Sequence, residues 1–155
     1  LVNATGVRVS LPAGDIKYEQ AFAMMPFGNN LVVMTLTGQQ IEAILEQQYR
    51  NDLQTPGTRP RALVCSAGCT YTLNMKRPAG DRVSDLRLNG KPTDPAARYR
   101  VAVSNFLASG GDGLTGFTAG TDITDKAIVD LDALVAWIAG GQVPPAVDRI
   151  RYTGP

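Results

Sequence analysis

Histidine is absent from all 155 residues, and that absence removes a large part of hydrolytic chemistry. Catalytic zinc is usually held by imidazole, and the common nucleophilic triads use a histidine base. A magnesium site built from carboxylates alone would need a tight Asp/Glu cluster, and the sequence shows none. Long apolar runs are also missing, since nothing approaches the roughly 18 residues of a membrane-spanning helix. Nor does charge of one sign accumulate: 15 Lys and Arg face 14 Asp and Glu, a formal net charge of +1. That balance gives no basis for a nucleic-acid polymer or an anionic membrane as partner. Local basic groups can still meet one small phosphorylated ligand. The first residues, Leu1-Val2-Asn3-Ala4-Thr5-Gly6, lack an initiator methionine, a basic stretch and a signal core. They read as the inside of a longer protein.

Cysteine is scarce, with Cys65 and Cys69 separated by Ser66-Ala67-Gly68. A three-residue hairpin loop would set the two thiols opposite each other, where a disulfide can close in an oxidising compartment. The other reading is two separate buried thiols. A zinc site from two cysteines without histidine partners does not fit.

What is present describes one ordinary domain. The apolar share of 44% and charged share of 19% are globular values, and a chain of this length buries about 70% of its unfolded surface. Apolar positions Tyr18, Ala21, Phe22 and Met25 predict a short helix ended by Pro26. The run from Leu31 to Leu36 predicts a strand buried on both faces. Thr37 and Gln40 have capping-box spacing before a helix whose stripe is Ile41, Ile44, Leu45 and Tyr49. Residues 51–61 are polar and proline-bearing, a surface loop. Residues 62–65 and 69–75 are expected to pair as strands. A strand over 83–88, a turn at Asn89-Gly90 and a return from Lys91 follow. Residues 98–104 are expected to form a central strand. Asp130 is expected to cap a last helix carrying Leu131, Leu134, Val135 and Ile138, stopped by Gly140-Gly141. Residues 147–152 make a closing strand. The expectation is therefore an α+β domain with a mixed, mostly antiparallel sheet and about three helices.

Three segments place a polar or aromatic side chain beside glycine, which permits close backbone approach and positive φ. In Asn3-Ala4-Thr5-Gly6-Val7-Arg8, Asn3 offers donor and acceptor to a base edge and Arg8 a planar fork for oxygens. In Pro26-Phe27-Gly28-Asn29-Asn30, Phe27 either folds into the core or stands out as a stacking platform for a flat heterocycle. In Ser104-Asn105-Phe106-Leu107-Ala108-Ser109-Gly110-Gly111-Asp112-Gly113, Phe106 stands at a strand end. The glycines aim the Asp112 carboxylate, suited to vicinal ribose hydroxyls. The alternative is a structural turn in which Asp112 caps its own backbone. The loop lacks the lysine and following Ser/Thr of a phosphate-cradling loop.

These segments, with Gly14-Asp15-Ile16, Leu36-Thr37-Gly38 and Gly80-Asp81-Arg82-Val83, resemble in order the C-terminal domain of the 5'-nucleotidase family, which includes UDP-sugar hydrolases. The resemblance spans nearly the whole chain. It implies that Phe27 and Phe106 sandwich a nucleobase, that Asn3 touches the base edge, and that Arg8 and Asp112 hold the ribose or nearby groups. It adds Asn29 and Gly68 to the substrate-binding set. It also implies an N-terminal metallophosphoesterase domain with two divalent ions such as zinc or manganese, absent from this chain, and a periplasmic or extracellular location. Thr5 stands where the family often has glycine. Residues 1–155 are thus expected to be an N-terminally truncated nucleotide-recognition domain without turnover of its own. Related substrates include 2',3'-cyclic nucleotides, 3'-nucleotides, NAD and UDP-sugars. A non-catalytic interaction or adhesion domain on the same fold is the alternative from another class.

Overall fold

The computed structural model describes residues 1–50, 62–142, 144 and 148–153. Seven strands and four α-helices follow one another as α1 (Tyr18–Met24), β1 (Asn30–Thr37), α2 (Gly38–Gln47), β2 (Cys69–Asn74), β3 (Val83–Leu88), β4 (Lys91–Pro92), β5 (Arg98–Ser104), α3 (Asn105–Ala108), β6 (Thr121–Val129), α4 (Asp130–Ala139) and β7 (Ile150–Thr153). They form two sheets, ordered β5-β1-β6 and β4-β3-β2-β7. All pairs are antiparallel except β2–β7. The expected α+β, mostly antiparallel domain is what the chain adopts.

Local chemistry accounts for the best-defined elements. At α2, the Thr37 hydroxyl accepts from Gln40 N at 3.2 Å while the Gln40 side chain accepts from Thr37 N at 2.7 Å. Those bonds satisfy two donors that a helix start would otherwise leave open. The stripe Ile41, Ile44 and Leu45 then faces inward, joined by Tyr49. It meets Met34 and Leu36 of β1, Val103 of β5, Tyr71 and Leu73 of β2 and Val83 of β3, so one core draws on both sheets. Arg82 is 7% exposed and is held there by Tyr49 O and Arg77 O. Asn89 (φ 53°) and Gly90 (φ 75°) make the expected tight turn into β4.

Several expectations are corrected. Residues 62–65 do not pair with β2; Val64 instead bridges Val2 through Val2 N–Val64 O at 3.0 Å and the reciprocal bond. β5 is an edge strand, with β1 in the middle. Alternation marks a strand but not its neighbours, and Arg98 and Arg100 of β5 reach Asp122 and Thr35 instead of packing inward. Asp130 is the first helical residue of α4 rather than its N-cap. Its carboxylate accepts from Asn29 Nδ2 and Leu131 N. The apolar side of α1 is only partly covered, with Ala21 buried but Tyr18 62% and Phe22 49% exposed. β6 is a strand with no forecast above. The polar stretch 51–61 and part of the closing segment lie outside the described residues.

Candidate functional site

Two of the exposed aromatic rings belong to the glycine-flanked segments. Phe27 follows α1 and is 54% exposed, while Phe106 lies in α3 and is 42% exposed. The core reading of Phe27 is therefore wrong for this fold. At α3 the sequence divides its labour between neighbours. Ser104 Oγ accepts from Leu107 N at 3.2 Å to start the turn, Leu107 is fully buried, and Phe106 points outward. Behind Phe106 runs the backbone of Gly111, so close that an added Cβ would sit 2.5 Å from ring carbons Cε1 and Cζ. Glycine is required there to let the ring lie against the chain.

The following loop turns through Gly110 (φ 88°), Asp112 (φ 55°) and Gly113 (φ 74°). Aspartate is among the few side chains that tolerate the left-handed region. This backbone carries the Asp112 carboxylate across to the N-terminal segment. Its Oδ2 accepts from Asn3 Nδ2 at 2.7 Å and from the Thr5 hydroxyl at 2.6 Å. Asn3 Nδ2 also donates to Thr5 Oγ1 at 2.7 Å. Asp112 thus serves a contact 109 positions away in sequence, and the self-capping reading does not apply.

Arg8 completes the connection. Its Nη1 donates to Thr5 O at 3.4 Å, its backbone N donates to Met24 O at 2.9 Å, and its guanidinium carbon lies 5.9 Å from the Phe27 ring centroid. That is within cation–π range, worth about 0.5–1 kcal/mol at an exposed site. A run of contacts therefore leads from Phe27 through Arg8, Thr5 and Asp112 to the Gly111 backbone beneath Phe106. Asn3, Arg8, Phe27, Phe106 and Asp112 are brought together by it. Thr5, which motif reading noted only as a departure, also joins this group; its partner is set by the tertiary fold alone.

Asn29 and Gly68 stand differently. Asn29 spends its amide on Asp130 Oδ2 at 3.2 Å, while its carbonyl accepts from Asp130 N at 2.8 Å, tying the Phe27 loop to the start of α4. Gly68 lines a separate cavity of about 470 Å³ with Leu1, Asn89 and Ala102, and no described contact joins it to the Asp112 group. Another cavity, about 690 Å³ between α2 and the turns at Gly80 and Gly116, contains none of the expected site residues.

Cys65 and Cys69 are both buried thiols with sulfur atoms 3.0 Å apart. The turn between them is closed by Cys69 N donating to Ser66 O at 3.0 Å. Their hydrogen bond, and then burial, push the Cys65 thiol up, while the same hydrogen bond holds Cys69 down against the effect of burial. Among the described residues no group of three His, Cys, Asp or Glu side chains converges to hold a metal ion. No described helix is long and apolar enough to cross a membrane.

Comparison with known proteins places this geometry in context. A family model described as "5'-nucleotidase, C-terminal domain" matches residues 1–119. The chain is 34% identical to the trifunctional nucleotide phosphoesterase protein YfkN of Bacillus subtilis, across 97% of the chain but 11% of that protein. It is 31% identical to protein UshA of Escherichia coli, covering 89% of the chain and 23% of UshA. The crystal structure of a 5'-nucleotidase precursor from Thermus thermophilus superposes with a TM-score of 0.86 at 33% identity, over 99% of this chain and 31% of that one. The chain therefore spans less than a third of the length of these relatives.

Proposed function

Since the chain belongs to the 5'-nucleotidase C-terminal domain family, we propose that it is the nucleoside-recognition part of a larger nucleotide phosphohydrolase. In this reading a nucleobase stacks between Phe27 and Phe106, and Asn3 meets the base edge. Asp112 accepts from the ribose, and Arg8 lies alongside it. Asn29 borders the site by fixing the Phe27 loop, whereas Gly68 belongs to the separate cavity and has no part in this reading. The observation that carries the reading is the pair of exposed rings joined by one run of polar contacts. Exposed aromatics at loop tips are poor at stabilising a fold and well suited to stacking on a flat ring.

The chain's share of the work is binding and orientation. Holding the base and sugar sets the direction in which a 5'-phosphate leaves the site, and such fixed geometry lowers the entropic part of a barrier. Two divalent ions, which the family implies for the parent protein, find no fitting donors among the described residues. They belong to the N-terminal metallophosphoesterase partner domain, where the hydrolysis is carried out. This chain alone should show no turnover. A periplasmic or extracellular location goes with the reading, and there the adjacent Cys65 and Cys69 would be held as a disulfide.

Calorimetric titration with adenosine and AMP tests the assignment. Each ring is expected to contribute about 1–3 kcal/mol, so Phe27→Ala or Phe106→Ala should weaken binding about 5- to 150-fold. Binding that is unchanged in both variants would remove the stacking site. Absence of binding to the unaltered chain would remove the nucleoside reading for it.

A further inference from the structure

Thr5 occupies hydrogen-bonding capacity that a nucleoside would otherwise use. A carboxylate presents two oxygens, each able to take about two donors. Oδ2 of Asp112 already receives Asn3 Nδ2 at 2.7 Å and Thr5 Oγ1 at 2.6 Å. Asn3 Nδ2, Thr5 Oγ1 and Asp112 Oδ2 stand in a triangle with sides of 2.7, 2.7 and 2.6 Å, so one amide hydrogen of Asn3 is shared between the other two atoms. The orientation of that amide follows from chemistry, because an ionised carboxylate only accepts and so must face the NH2 group. What remains is Oδ1 of Asp112 and, on Asn3, the second amide hydrogen, while the Asn3 carbonyl oxygen stands beside the Gly6 backbone.

We propose that Thr5 is a specificity-determining residue which, by saturating Asp112 Oδ2, leaves one carboxylate oxygen for the sugar and makes the site tolerant of nucleosides that lack one ribose hydroxyl. The inference rests on the nucleoside reading above and deepens it. A vicinal diol is best matched by two carboxylate oxygens, one for each hydroxyl. With only Oδ1 open, a single hydroxyl satisfies the group, and removing the 2'- or the 3'-hydroxyl leaves the other to take its place. Removal of the Thr5 side chain opens Oδ2 and the space beside it, so both hydroxyls become useful and the loss of either is felt.

The test compares adenosine with 2'-deoxyadenosine and 3'-deoxyadenosine on the unaltered chain, Thr5→Ala and Thr5→Ser, by calorimetric titration. The readout is the ratio of affinities, which a general loosening of the loop would not move. The unaltered chain and Thr5→Ser are expected to bind adenosine within about threefold of either deoxynucleoside. Thr5→Ala should widen the ratio to about tenfold, the ordinary worth of one hydrogen bond regained by the ligand. A ratio equal in the unaltered chain and Thr5→Ala overturns the role of Thr5 while leaving the stacking site intact. Failure of the unaltered chain to bind adenosine at all overturns the nucleoside reading and this inference with it.

Discussion

At position 111 a methyl group would strike the edge of Phe106, whose ring carbons are its three nearest atoms. The ring is partly exposed and free to swing, so Gly111→Ala should displace it rather than unfold the chain. Adenosine binding should weaken about tenfold, within the worth of a stacked base. The melting temperature should stay within about 2 °C, as expected of a surface change. Titration and a melting curve on the same sample check both halves; a large fall in melting temperature with affinity unchanged contradicts it. Such residues were legible in the sequence because glycine marks close approach locally, whatever the rest of the chain does. Their partners were not. Thr5 finds Asp112 at a separation of 107 positions and Asn29 finds Asp130 at 101. No local pattern encodes either pairing.

Among the elements, the start of α2 was readable to the residue because its capping box and apolar period lie within one stretch of sequence, although the helix ends at Gln47, before the Tyr49 of the expected stripe. β6 was not, since its residues are exposed almost throughout and offer no apolar face to detect. It also breaks register with β1 and turns through positive φ at Asp122 and Ala127. What fastens its middle is Asp125, whose carboxylate accepts from Asn30 Nδ2 at 3.0 Å and from Ala127 N at 2.8 Å. The Asn30 amide, and then the Ala127 N–H, hold this carboxyl below its ordinary value of 3.8. A group depressed on folding lends stability above its unfolded pKa and loses it as pH falls through the folded one. Asp125→Ala should therefore lower the urea midpoint at about pH 6, and the difference from the unaltered chain should shrink in acid below the ordinary carboxylate value. Urea curves at several pH values decide it; a difference that persists undiminished in acid assigns the effect to packing instead.

Across the whole molecule, Tyr49 after α2 and Tyr71 in β2 meet hydroxyl to hydroxyl at 2.6 Å inside the shared core. Burial raises both phenols well above the ordinary value of 10.0, and for Tyr71 the neighbouring Tyr49 adds to it. The folded chain keeps these protons while the unfolded chain releases them, so the contribution is full below the unfolded pKa and is lost as pH rises beyond it. Stability should hold to about pH 9 and fall steeply above about pH 10. Phenolate absorbance of this pair should appear only with unfolding, and Tyr71→Phe should make the alkaline slope shallower. Phenolate from both residues while the fold persists would contradict this. That these two tyrosines share a core was only half legible: the helical stripe named Tyr49, but the sheet that supplies Tyr71 had been given the wrong partner.

The contacts beneath the two exposed rings are drawn from the beginning, the first quarter and the last third of the described chain. All three stretches must be in place for these contacts to form, so on the proposed reading a nucleoside held there recognises the assembled fold. Occupancy and integrity then become one equilibrium seen from two sides. At a free ligand concentration a hundred times the dissociation constant, about 2.7 kcal/mol is added to global unfolding. On the proposed nucleoside reading, the empty chain opens more often than the filled one and is cut sooner by proteases, so ligand supply would set the lifetime of the protein as well as the filling of its site.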